Sequence, residues 1–84
     1  MKPQMFLHLV ERERERQVKK WGEQNHDIFR WLAILGEECG EADKAALEGE
    51  YMPLIVWQDV EKELIEAAAV ILAILDCAKR NDWF

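Results

Sequence analysis

The stretch Glu63-Leu64-Ile65-Glu66-Ala67-Ala68-Ala69-Val70-Ile71-Leu72-Ala73-Ile74-Leu75 decides the fold. It has no Gly, no Pro and no polar–apolar alternation, and Ala and Leu dominate it, so it reads as helix. From Leu64 to Leu75 every residue is apolar except Glu66. As helix that run is roughly 18 Å long, too short to cross a bilayer. A helix apolar nearly all round must be covered on all sides. A lone carboxylate inside it is costly and would normally neutralise. Glu63 precedes Glu66 by three residues and shares its face, about 60° away. Hard divalent cations take carboxylate oxygens, so Mg²⁺ or Mn²⁺ would give Glu66 a reason to stand there.

Outward from that run, the whole chain reads helical. It has 84 residues, half of them hydrophobic, with only 4 Gly and 2 Pro. That is one domain, 1–84, and one too small to build a sufficient core easily by itself. The first helix is expected from about Gln4 to Lys20, with Phe6, Leu9, Val10, Gln17 and Trp21 as its apolar stripe. Trp21-Gly22-Glu23-Gln24-Asn25 breaks it. Asn25 or Asp27 can cap a second helix from about Asp27 to Glu48, ending at Gly49. Residues 49–57 form a connection, and a third helix covers about Trp57 to Arg80 with Asp59 as a cap, although Pro53 allows an earlier turn. Asn81 to Phe84 should fray or dock weakly. The expected fold is all-α: three main helices in a bundle that homo-oligomerisation completes.

Charge and cysteine usage exclude several classes. Lys plus Arg is 11 and Asp plus Glu is 17, a net charge of −6. That argues against a nucleic-acid polymer as partner. The charge is uneven: residues 1–20 carry six basic and three acidic side chains, and the remainder five and fourteen. The run Glu11 to Arg16 is a solvated helical face or a basic lip for phosphates, carried by Arg12, Arg16, Lys19 or Lys20. Cys39 and Cys77 read as reduced core thiols in a cytoplasmic protein. The apolar N-terminal run is too short for a signal peptide, so neither membrane insertion nor export is expected.

On the second helix, Ile28, Trp31, Leu32, Leu35, Cys39, Ala42 and Ala46 form one apolar arc at about 100° per residue. Glu38 falls inside its edge and Glu41 at its border, while Glu37 lies beyond. Gly36 and Gly40 allow close approach of another helix, across a dimer interface or beside the first helix. The second and third helices thus each offer a Glu-x-x-Glu pair at a core boundary. Packed antiparallel, they bring four carboxylates together, and four anions at one point repel unless a divalent cation sits among them. A di-iron bundle would want Glu-x-x-His pairs, and His8 and His26 are not placed to supply them.

A family resemblance covers roughly residues 11–80. Leu35-Gly-Glu-Glu-Cys-Gly-Glu41 resembles the EExxE motif of MazG-type nucleoside triphosphate pyrophosphohydrolases. Glu63-Leu-Ile-Glu66 resembles their ExxD motif, with Glu66 where the family usually has Asp. Trp21-Gly22-Glu23-Gln24 and Trp31 to Leu35 are similar to further segments of short phage and bacterial members. The resemblance implies an all-α fold, Mg²⁺-dependent hydrolysis of a (deoxy)nucleoside triphosphate to monophosphate and pyrophosphate, and a homodimer or homotetramer. It implies Glu38, Glu41, Glu63 and Glu66 as the metal-holding, catalytic carboxylates, with Glu37 in support. Trp21 would lie against the base, or else be core at the helix junction. Gln24 would hydrogen-bond a base edge or stabilise the turn. Longer members carry phosphate-binding basic residues past the last helix. With Phe84 as the final residue here, Lys79 and Arg80, or Arg16 and Lys20 of the first helix, are expected to serve. Trp31, Trp57 and Trp83 read as core or interface. The rival class is a non-catalytic helical module for oligomerisation or nucleotide binding.

Overall fold

A computed structural model describes residues 2–48 and 53–84. The chain is all-helical: α1 is Pro3–Trp21, α2 is Ile28–Glu48 and α3 is Pro53–Arg80. No strand occurs among the described residues.

Each boundary has a local cause. Pro3 opens α1 at a position where a missing N–H costs nothing. Gly22 closes it with φ 72°, a left-handed conformation that favours glycine, and its N–H bonds Val18 O at 2.8 Å. Asp27 caps α2: its Oδ1 accepts from the Arg30 N–H at 2.8 Å. Pro53, not Asp59, starts α3, so the third helix takes in residues 53–56 of the expected connection and Asp59 lies within it. The expected stop at Gly49 lies outside the described residues.

The 28 residues of α3 make it the central rod. At about 1.5 Å per residue it spans roughly 42 Å, close to the 45 Å longest dimension of the molecule. Both other helices pack on α3, and α1 and α2 do not pack on each other. Trp31 packs with Ala73 and Cys77, whereas Glu38 and Glu41 meet Glu66 and Glu63. As α2 advances its partners on α3 recede, so the two run antiparallel. Phe6 and Val10 stand beside Trp57, Val60 and Leu64, and Gln17 reaches the Glu66 carbonyl. α1 therefore runs parallel to α3.

The core is narrow. Its fully buried large side chains are Trp31 and Cys77, set among Ala67, Ala69, Val70, Ala73 and Ala78. Small residues let α2 come close to α3. The larger aliphatics of α3, Leu64, Ile71, Leu72 and Leu75, stay exposed on its other sides. On α2 the buried face is Trp31, Ala42 and Ala45, with Ile34, Leu35 and Glu38 half-buried. The expected arc was centred too far round: Leu32, Cys39 and Ala46 are exposed, because one neighbouring helix covers only part of a broad arc. Cys39 is thus an exposed thiol, and only Cys77 is a core one. A Cβ at Gly36 or Gly40 would meet nothing within 4 Å, so these glycines relieve no crowding beside α1.

A polar clasp ties the loop between α1 and α2 to the end of α3. Asn81 Nδ2 donates to Asn25 Oδ1 at 3.0 Å and to Cys77 O at 2.8 Å. Arg80 donates to Gln24 O at 3.0 Å and Asn25 Oδ1 at 3.2 Å, and pairs with Glu23 at 3.0 Å and with Asp76. Asn81 is therefore docked rather than frayed. No helix among the described residues is long and apolar enough to cross a membrane.

Candidate metal centre

Midway along α3 the two Glu-x-x-Glu pairs meet. Glu38, Glu41, Glu63 and Glu66 each present an oxygen within 4.8 Å of the others. Antiparallel packing of α2 on α3, set by the Trp31–Ala73–Cys77 contact, produces this register. Glu41 is exposed and the other three are half-buried.

Electrostatics at the cluster are unfavourable for four free carboxylates. Burial, then the neighbouring Glu41 and Glu66, push the Glu63 carboxyl from its ordinary 4.5 up to about 7. Glu38 is raised as well, by burial first and then by Glu41, Glu66 and Glu13. Glu38 Oε2 and Glu63 Oε2 are buried without a hydrogen-bond partner. Lys62 Nζ stands 3.9 Å from Glu66, a loose ion pair on the solvent side. Oxygen-only donors, two of them unpaired, suit a hard divalent cation of the Mg²⁺ or Mn²⁺ kind.

Because α1 and α2 do not touch, α3 floors an open groove of about 1330 Å³ between them. Glu38 and Glu66 face this groove. So do Arg12, Arg16, Lys20 and Trp21 of α1, together with Gln24 beyond its end. The structure thus brings Arg16, Lys20, Trp21 and Gln24 to one groove beside the carboxylates. It does not bring Lys79 or Arg80 there: neither lines the groove, and Arg80 spends its donors on the clasp. The longest helix carries both residues past the groove, to the end where the α1–α2 loop needs anchoring. Trp21 is 60 % exposed, which removes the core reading of that residue. Lys20 Nζ lies 4.8 Å from its ring centroid.

Two residues of the groove escaped the sequence reading. Glu13 binds Arg16 through two hydrogen bonds, 2.6 and 2.8 Å, on the groove wall. Its place one turn before Gln17, within the α1 stripe, was the available signal. Trp31, on α2, lines the groove as well as the core. Glu37, exposed, also borders the groove.

No protein-family model, curated protein or solved structure matches the chain.

Proposed function

We propose that this chain is a Mg²⁺-dependent nucleoside triphosphate pyrophosphohydrolase. The observation that carries the reading is the convergence of four Glu carboxylates, from two helices, within 4.8 Å beside a groove edged with basic side chains. The resemblance of the EExxE-like and ExxE segments to MazG-type enzymes supports the same chemistry.

Glu38, Glu41, Glu63 and Glu66 would hold the cation. Mg²⁺ there would supply charge neutralisation of the triphosphate and activation of a water. One of these carboxylates would steer the attacking water. Attack at the α-phosphorus releases pyrophosphate and leaves the monophosphate. Arg12, Arg16 and Lys20 would face the phosphates, and Trp21 the base. The chain would act as a homodimer or homotetramer, since the exposed aliphatics of α3 need a cover that one chain does not give.

The test is pyrophosphate release from a panel of nucleoside and deoxynucleoside triphosphates with Mg²⁺. Turnover of at least one is expected. Glu66→Ala should abolish it while the helical circular dichroism persists. No turnover of any member at high protein concentration sinks the enzyme reading in favour of a non-catalytic helical module. In such a module Glu66→Ala would leave function intact and raise stability by removing a half-buried charge.

A further inference from the structure

The other two helices leave one apolar stripe of α3 largely uncovered. Trp57, Leu64, Ile71 and Leu75 recur at steps of seven and four residues, so they share one side of the helix. All four are exposed, as is Leu72 beside Ile71. The surroundings of the stripe change along its length. At its start, Phe6 and Val10 of α1 join Trp57, Leu64 and Ala68 in lining an apolar groove of about 470 Å³. Further on, Ile71, Leu72 and Leu75 form a bare ridge. One helix thus offers a groove along its first half and a ridge along its second.

Groove and ridge carry opposite charges. Among the described residues, Glu61 is the one charged side chain lining the groove. Lys79 follows Leu75 by about one turn, at the end of the ridge. Glu61 and Lys79 stand eighteen residues apart, about five full turns, so they lie on the same side of α3. Neither forms an ion pair among the described residues. A helix whose first half complements its second in shape and charge fits a copy of itself turned end for end. A parallel copy would set ridge against ridge and Glu61 beside Glu61.

We propose that two copies of the chain pair through antiparallel α3 helices, the ridge of each seated in the α1–α3 groove of the other. The two-fold axis passes at the level of Val70, midway between Glu61 and Lys79. In that register Leu75 of one copy meets Leu64 of the other. Leu72 meets Ala68, whose small side chain leaves it room, and Lys79 meets Glu61. The aliphatic side chains supply the attraction. Exposed ion pairs add little to stability, and here they select the antiparallel orientation. This inference rests on the homo-oligomeric part of the reading above and not on its catalytic part. It goes beyond that part by assigning the surface, the orientation and the register.

The experiment is disulfide cross-linking of the full chain, with Cys39→Ser removing the exposed native thiol. Glu61→Cys and Lys79→Cys are made singly and together, all at exposed positions. The double variant should give a covalent dimer on mild oxidation. Each single variant should not, because like positions then lie roughly 27 Å apart along the axis, far beyond the reach of a disulfide. Charge reversal gives a second measurement, by sedimentation equilibrium. Glu61→Lys and Lys79→Glu should each weaken the dimer about tenfold, and the two together should restore it. Single variants that cross-link as readily as the double one, or charge reversals whose effects add instead of cancelling, overturn the antiparallel register. A wild type that sediments as a monomer at high protein concentration overturns the interface itself. None of these outcomes depends on turnover: pyrophosphate release would still support the enzyme reading if the interface failed, and its absence would leave a cross-linked dimer standing.

Discussion

Glu63 concentrates the tension of the carboxylate cluster. Its raised proton affinity means that the folded chain holds this proton more tightly than the unfolded chain does. The resulting stabilisation is complete below about pH 4.5 and is lost as pH rises through about 7. Glu38 shifts in the same direction and adds to the trend. The melting temperature of the metal-free chain should therefore fall between those two values. Mg²⁺ should raise it at neutral pH and do little at acid pH, where protons occupy the same oxygens. Thermal melts followed by circular dichroism, with and without a chelator, check this. A pH-independent melt that Mg²⁺ does not alter would count against a shared site. Glu66 was legible in the sequence because a charged residue inside an apolar run is conspicuous at any register, and Glu38, Glu41 and Glu63 followed from i,i+3 spacing at the borders of apolar faces. Glu13 was not, because it sits in an alternating charge run whose members look alike until α3 selects one face.

Among the elements, the helices followed from breakers and caps, whereas the faces they bury did not. Gly22 and Asp27 end and begin helices through backbone geometry that is written locally. Which part of the α2 arc is covered depends on a single neighbour, and that placed Leu32 and Cys39 in the open. Arg80 shows the same limit: its charge suggested phosphate, and the length of α3 gives it a different task. As the centre of the clasp it should matter to stability rather than to substrate. Arg80→Ala is expected to cost about 1 kcal/mol, seen as a fall of roughly 4–8 °C in melting temperature for a domain of this size. Lys79→Ala should leave the melt unchanged. Equal effects of the two substitutions would remove the clasp from the account.

At the scale of the whole molecule, the small core and the exposed aliphatics of α3 belong together. Alanine-rich packing brings α2 near and leaves Leu64, Ile71, Leu72 and Leu75 pointing elsewhere. Burying such side chains contributes about 1.5–3 kcal/mol each, so the oligomer proposed above would draw much of its stability from them. Leu72→Glu should shift the chain to monomer in sedimentation equilibrium and lower its melting temperature. An unchanged mass would show that α3 is covered in some other way.

The helix α1 contains no buried residue. It is attached through the short loop that the clasp holds, and along its length it touches α3 alone. In hydrogen exchange its amides should therefore lose protection first, ahead of α2 and α3 and without global unfolding. Since α1 forms one wall of the groove, a ligand lying there would slow that exchange selectively. The rate at which α1 takes up deuterium would then serve as a gauge of occupancy, readable even for compounds that are never turned over.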